Sequence, residues 1–128
     1  MEQICPTMCD FRKLPKAYQI DYGVYQKRSN KLIRVVEIKA RDVNLKTYPT
    51  LILSAHKMHS LIDWYVRGVD AQLLYKLNDG LFSLEITTDM YQYNITSGGR
   101  TDRGDWQDVE PVYHIPKADL TPVHCFVC

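Results

Sequence analysis

No stretch of this sequence is apolar for long enough to cross a membrane as a helix. The N-terminal segment, MEQICPTMCDFRK, has no long apolar core behind a basic start, so no secretory signal is predicted. We therefore expect a cytoplasmic protein. A large charge of either sign is also lacking, because 16 Lys and Arg residues face 15 Asp and Glu residues, for a formal net charge of +1. This balance argues against a strongly basic protein that wraps nucleic acid, although it is compatible with a local basic patch.

Familiar catalytic motifs are absent too. The sequence has no Ser-His-Asp arrangement, Walker phosphate-binding loop or HExxH zinc motif. His56 and His59 are separated by two residues and could form a metal-binding pair, but two polar surface residues are the more common interpretation of this spacing. His114 and His124 have no partner that the sequence identifies. No cofactor is therefore predicted.

The few cysteines lie at the two ends of the chain: Cys5, Cys9, Cys125 and Cys128. Four thiolates would make a closed zinc site, and the second pair has the two-residue spacing of a zinc knuckle. The first pair has three residues between its cysteines, and free thiols in terminal tails are the simpler interpretation. A zinc site built from these four residues is kept as an alternative.

Short β-strands are what the sequence does contain. Runs of β-branched and aromatic residues at 32–38, 50–56 and 81–87 predict three of about six strands, and no convincing long helix is found. The pattern predicts an α+β protein made mainly of antiparallel β-sheet with little helix. At this length we expect a single domain over residues 1–128. It divides into an irregular tail at 1–15, a β meander at 16–88 and a loop-rich part at 89–128.

The centre of the predicted meander is a hairpin. Residues 61–69, LIDWYVRGV, and 73–77, LLYKL, are interpreted as two strands, because aromatic and β-branched side chains suit a pleated, half-buried surface. Residues 70–72 would form the short connection between them. Residues 78–80, Asn-Asp-Gly, predict a second turn, since these residue types adopt positive φ at little cost. The hairpin places Tyr65 on a rigid element, where a flat ligand could stack.

A loop rich in glycine and charge is predicted at residues 97–106, SGGRTDRGDW. Its Arg100 and Arg103 could bind phosphates through their guanidinium groups, together with backbone N–H groups of the glycines. Arginines near aromatic rings suit RNA, because bases stack on the rings while the arginines meet the phosphates. The simpler interpretation of Trp64 and Tyr65 is that one fills the core and the other lies at the surface. The residue chemistry by itself favours that simpler interpretation.

The hairpin also resembles a segment of plant ribosome-inactivating proteins. Residues 63–69, DWYVRGV, are preceded by the strand LILSAHK and followed by LLYKLND, which is similar to the N-terminal half of that family. The family has the pattern N-x-Y-V-x-G-Y at this point. Asp63 stands at the Asn position, Tyr65 at the active-site Tyr and Gly68 at the Gly, while Val69 replaces the second aromatic residue.

A second segment carries the resemblance further along the chain. RGDWQDVE resembles the family's G-G-x-Y-x-x-L segment and puts Trp106 at the position of its second stacking Tyr. A competing alignment through GGRTDRGD puts Thr101 there instead, but Trp106 keeps an aromatic face for stacking. The ending HIPKADLTPV is similar to the family's LGKxxLxxAV stretch. In all, the resemblance covers residues 32–123.

The resemblance implies an α+β fold like the N-terminal sheet subdomain of these proteins. It also implies an rRNA N-glycosylase, a translation-inhibiting toxin of plant defence that releases one adenine from ribosomal RNA. Tyr65 and Trp106 would stack on the adenine, and Asp63, Gly68, Arg100 and Arg103 would bind the substrate. The family's E-A-x-R-F-type helix, which supplies a catalytic Glu and Arg, does not occur in this sequence. We therefore expect weak activity or none from this chain alone.

Two other functions remain open from the sequence. One is a small, non-enzymatic, β-rich interaction or RNA-binding module in which the aromatic residues are structural. The other is an RNA-binding module clamped by zinc at the terminal cysteines. The leading hypothesis predicts the ribosome as the partner and no membrane, and it leaves the oligomeric state open.

Overall fold

The structure, a computed structural model, describes residues 9–99 and 109–124. Within these residues the chain forms one α-helix, α1 (Ala55–Val66), and nine strands. The strands are β1 (Cys9–Lys13), β2 (Tyr22–Gln26), β3 (Lys31–Ala40), β4 (Thr50–Ser54), β5 (Asp70–Leu77), β6 (Gly80–Glu85), β7 (Ile95–Gly99), β8 (Val109–Pro116) and β9 (Thr121–Val123). Short 3₁₀ turns are formed by Lys16–Tyr18, Thr88–Gln92 and Lys117–Asp119.

The strands that the structure describes belong to two sheets. The larger sheet has the order β1-β2-β3-β5-β6-β9, and the smaller has the order β4-β8-β7. All neighbouring strands run antiparallel except β3 and β5, which run parallel from the pair Arg34 and Asp70 to the pair Ala40 and Lys76. The chain is mainly β-sheet with little helix, as predicted, but the predicted meander is wrong because the larger sheet is mixed and its two central strands are the parallel pair.

The parallel pair explains why a helix lies between these strands. Two parallel strands need a long crossover connection, because the chain must return to the same end of the sheet before it can pair again. Here β4 and α1 supply the crossover between β3 and β5. The resemblance predicted a sheet subdomain like that of the ribosome-inactivating proteins. That prediction is wrong.

The predicted hairpin at residues 61–79 is also wrong. Its first half is the end of α1, whose buried residues Ala55, Met58, Leu61 and Ile62 follow the helical spacing of three and four. The helix ends at Val66, and Gly68, two residues later, has φ +95° and donates its backbone N–H to Tyr65 O at 3.0 Å. No helix in the described ranges is both long and apolar enough to cross a membrane.

Several predicted strands are confirmed. Residues 32–38 lie inside β3, and residues 81–85 lie inside β6. The turn predicted at 78–80 joins β5 to β6, where Gly80 has φ +148°. The sequence predicts the two strands correctly because their apolar residues alternate or are β-branched. It predicts the turn because Asn, Asp and Gly favour one.

The core lies between the two sheets and α1. Val35 of β3 and Leu73 of β5 are fully buried, and they belong to one apolar cluster with Met58 of α1 and with Leu53 and Ile115 of the smaller sheet. Helix α1 and the smaller sheet therefore cover the same face of the larger sheet. This face carries the polar residues described in the next subsection.

Tyr75 joins the two sheets, and its replacement tests how firmly they are held together. Its buried hydroxyl donates to Ile52 O at 2.6 Å, and burial raises the pKa of Tyr75, so the hydroxyl stays protonated and able to donate. We expect Tyr75→Phe to lower the free energy of unfolding by about 1 kcal/mol, the usual net value of one hydrogen bond. Urea unfolding measures this loss. Tyr65→Phe is the control, because that side chain is exposed and its loss of a hydroxyl should change stability little; equal effects of both changes would contradict the prediction.

Candidate active site

A buried acid and a lysine lie close together near the end of β3. Glu37 is 1% exposed although it carries a carboxylate, and this is unusual for a side chain of its type. Lys39 stands two residues further on, so strand alternation puts both side chains on the same face. Lys39 Nζ lies 3.4 Å from Glu37 Oε2. The pair is on the face that α1 covers.

A second acid lies opposite Glu37 on the neighbouring strand. Tyr22 pairs with Val36 in the antiparallel register of β2 and β3, and so Asp21, one residue earlier, faces Glu37. The backbone N–H of Asp21 donates to Glu37 Oε1 at 3.3 Å. The Glu37 carboxylate therefore lies against the backbone of Asp21, and the register continued by one residue sets the two acids opposite each other.

Helix α1 contributes a second lysine. Lys57 Nζ lies 3.5 Å from Glu37 Oε1 and donates to Gln19 O at 2.7 Å. Gln19 ends the 3₁₀ turn with φ 61°, a left-handed conformation that is uncommon for this residue type. Ser60, one turn along α1, donates to Gln19 Oε1 at 3.1 Å. These bonds tie the segment that carries Asp21 to the helix.

Both lysines pair with Glu37, and the backbone N–H of Asp21 donates to the same carboxylate. A buried carboxylate is tolerated because the ammonium groups and an N–H group compensate the loss of water. Two carboxylates are what Mg²⁺ ordinarily takes from a protein, since it keeps several waters and binds substrate phosphates with its remaining positions. The described residues contain no group of three or more His, Cys, Asp or Glu side chains that could hold a metal without such help. Asp21 and Glu37 therefore fit a hard divalent cation that is shared with a phosphate substrate.

None of these four residues was picked out from the sequence. A signal was present, because Glu37 lies near the end of the predicted strand at 32–38, Lys39 follows that strand, and Asp21 immediately precedes β2. The predicted strand ends at Ile38, so the sequence assigns Lys39 to the polar segment that follows it. Lys57 carried no such signal, because its place in the site depends on how α1 packs over β3.

The residues predicted to bind adenine are not all within the described ranges. Tyr65 is on α1 and 39% exposed, and Asp63 of the same helix forms a salt bridge of 3.0 Å with Arg67, the residue that follows it. Gly68 lies two residues beyond the end of that helix and has positive φ. Trp106, Thr101, Arg100 and Arg103 lie outside the described residues. Hence the predicted pairing of Tyr65 with Trp106 stays untested.

The predicted metal-binding residues are described in part. Cys9 is disulfide-bonded and is therefore not a thiolate, whereas Cys5, Cys125 and Cys128 lie outside the described residues. His59 Nε2 lies 2.8 Å from the Tyr113 hydroxyl. His56 is on the exposed side of α1.

Comparison with known proteins identifies a nuclease family. Residues 2–123 match the family model described as "Phage putative PDDEXK endonuclease". Among solved structures, a Holliday junction resolvase, Hjc from Archaeoglobus fulgidus, matches over 92% of this chain and 78% of its own, with 16% identity and a TM-score of 0.40. No protein among the curated ones matches.

The family's name spells a pattern that fits the geometry above. The sequence has an acid, Asp21, and an acid, one further residue and a lysine, Glu37-Ile38-Lys39, that fit letters of this name. The residue before Asp21 is Ile20 where the name has Pro.

The family match contradicts the resemblance to ribosome-inactivating proteins. The hypothesis of an rRNA N-glycosylase, with the ribosome as partner and a role as a translation-inhibiting toxin, is therefore wrong. Its physical weakness lies in the segment that suggested it: the Tyr65 and Gly68 pattern belongs to the exposed end of a helix and to a glycine two residues beyond it. Whether Tyr65, Asp63 and Gly68 contact a nucleic acid stays a prediction.

Proposed function

Because the chain belongs to the family of phage PDDEXK endonucleases, we propose that it hydrolyses phosphodiester bonds of DNA with a divalent cation at Asp21 and Glu37. The observation that carries the proposal is the buried Glu37 with Lys39 Nζ 3.4 Å from one carboxylate oxygen and the Asp21 N–H bonded to the other. Such a cation, when bound, acts as a Lewis acid on the phosphate and lowers the pKa of a water.

The chain's own residues have separate tasks in this proposal. The carboxylates of Asp21 and Glu37 hold the cation and supply the negative charge that attracts it. Lys39 keeps its ammonium group beside Glu37 and stabilises the negative charge that grows on the phosphate in the transition state. Lys57, which is bonded to Gln19 O, holds Glu37 from the helix side and links its position to that of the Asp21 segment.

Burial makes these charges effective. Glu37 has almost no contact with water, so its interactions with the lysines are less screened than those of a surface pair. Lys39 and Lys57 are about a quarter exposed, at 26% and 27%, so the site opens to solvent on the side of the lysines. A DNA backbone would approach from that side, where positive charge attracts it.

Metal-dependent cleavage is the direct test. We expect the purified chain to nick or cut supercoiled plasmid and labelled oligonucleotides in Mg²⁺ or Mn²⁺, and to lose this activity in EDTA, because the acids need a cation to engage phosphate. Gel electrophoresis with phosphate end-group analysis measures it. An RNA of the same sequence is the matched control for the substrate. Cleavage of that RNA alone would contradict the assignment of DNA, and absence of metal-dependent cleavage of either polymer would contradict the proposal.

A further inference from the structure

A cavity of about 410 Å³ opens beside the end of β3. Its lining includes Arg41, Asp42, Tyr48, Ile52, Tyr75 and His114. We propose that this cavity receives an unpaired nucleobase of the DNA that is cleaved at Asp21 and Glu37. The inference rests on the proposed nuclease function and adds to it the kind of DNA that the protein selects. The volume of the cavity lies within the range of about 300–1,000 Å³ that small-molecule sites occupy.

Position is the first argument. Lys39 pairs with Tyr75 in the parallel register, and Tyr75 lines the cavity. Arg41 continues the ladder beyond β3, since its N–H donates to Lys76 O at 3.0 Å. At about 3.3 Å per residue, Arg41 lies roughly 7 Å along the strand from Lys39. The cavity is therefore within a few nucleotides of a phosphate bound at Glu37.

Rigid walls are the second argument. His114 has both ring nitrogens engaged, Nδ1 at 3.2 Å from Thr50 Oγ1 and Nε2 at 2.7 Å from Thr96 Oγ1. Tyr75 is held by its bond to Ile52 O. Because these rings are already fixed, binding of a planar ligand would cost little conformational entropy of the side chains. Such pre-formed apolar walls suit a flat ring better than a flexible chain.

Exposed apolar side chains at the rim are the third argument. Tyr48 is 56% exposed and Ile52 is 44% exposed, and both line the same opening. Next to an opening, such side chains provide a surface that a base can cover. Every base has a π-face that can stack on an aromatic ring, so Tyr48 would stack with any of the four bases.

The charges in the cavity select a neutral ligand over a phosphate. Arg41 and Asp42 stand next to each other in the lining, and Asp42 Oδ1 accepts a hydrogen bond from Asn78 Nδ2 at 2.9 Å. A carboxylate repels a phosphate but accepts from the amino group of a base, while a guanidinium group donates to ring nitrogens and carbonyl oxygens. The pair thus matches the mixed donor and acceptor edge of a nucleobase.

The preferred substrate follows from the cost of exposing a base. In an intact duplex the base must first be unstacked and unpaired, whereas in a bulge or a flap that cost is already met. A protein that binds an unpaired base next to its active site therefore favours DNA that contains one. We expect DNA with a single-nucleotide bulge to bind about tenfold more tightly than the matching perfect duplex.

Binding to a bulge that carries 2-aminopurine tests this directly. The wild-type chain is titrated in EDTA against the bulged duplex and against the perfect duplex, by fluorescence anisotropy and by quenching of the 2-aminopurine. Tyr48→Ala should reduce the preference for the bulge to about twofold or less, and Tyr48→Phe should keep it, because stacking needs the ring and not the hydroxyl. Tyr91→Ala is the matched control, since Tyr91 is also 56% exposed but does not line the cavity, and it should keep the preference too.

The outcomes separate this inference from the nuclease proposal. Equal affinity for the two DNAs, or an undiminished preference in Tyr48→Ala, overturns the cavity assignment. The same oligonucleotides are then incubated with Mg²⁺. A bulge preference that depends on Tyr48, without cleavage of any DNA, supports the cavity and overturns the nuclease. Cleavage of both DNAs without any bulge preference supports the nuclease and overturns the cavity. Circular dichroism of each variant shows that it is folded.

Discussion

Glu37→Gln is expected to abolish DNA cleavage, with a loss of roughly 10³-fold or more at saturating Mg²⁺. The change replaces a buried carboxylate by a neutral amide of the same shape, so the charge that attracts a cation is removed without creating a cavity. The amide oxygen can still accept from the Asp21 N–H, and both lysines beside it reach water, so the fold should persist. Plasmid cleavage measures the activity, and calorimetric titration with Mn²⁺ measures the loss of metal affinity.

Glu85→Gln is the control for this change. Glu85 is another strand carboxylate of the larger sheet, but its side chain is 59% exposed and pairs with Arg34 at 2.8 Å. We expect its neutralisation to leave both cleavage and metal affinity unchanged. A Glu37→Gln protein that keeps more than about a tenth of wild-type cleavage would contradict the role of Glu37 as a metal-holding acid.

Lys39→Met is expected to separate catalysis from metal binding. Cleavage should fall by roughly 10²- to 10⁴-fold, because the ammonium group that stabilises the charge on the phosphate is gone. Metal affinity should stay the same or rise, since the loss of a positive charge 3.4 Å from Glu37 Oε2 makes the acid more attractive to a cation. Single-turnover cleavage and Mn²⁺ titration on the same protein measure both quantities.

Lys31→Met is the matched control on the same strand. Lys31 is exposed at the start of β3, eight residues from Lys39 or roughly 26 Å along the strand. Its removal should leave the cleavage rate of bound DNA unchanged. If Lys39→Met lost metal affinity and cleavage together, Lys39 would be needed to build the metal site, and the separate role proposed for it would be refuted.

The helix shows where local composition misled the prediction. Trp64, Tyr65 and Val66 are residues that favour strands, and they stand in a row. The buried residues of the segment nevertheless repeat with helical spacing from Ala55 to Ile62, and it is this period that decides which side chains can pack together. Tertiary packing of that apolar face outweighs the weak preference of three terminal residues.

The C-terminal part shows a different limit. Residues 89–128 were expected to be rich in loops, and within the described residues they form β7, β8 and β9. β8 begins with Val-Glu-Pro-Val and pairs on both sides, with β4 and β7. A proline and short alternations give little local signal, because the hydrogen bonds that stabilise such a strand come from residues distant in sequence.

The sequence by itself determined the strands at 32–38 and 81–85 and the turn at 78–80. These depend on residue type and short spacing, which are properties of neighbouring residues. The parallel pairing of β3 with β5 was decided by the tertiary structure, because it requires a crossover of about 30 residues to close. The tertiary structure also decided the candidate active site. Strand register sets Asp21 opposite Glu37, and the packing of α1 brings Lys57 to the same carboxylate.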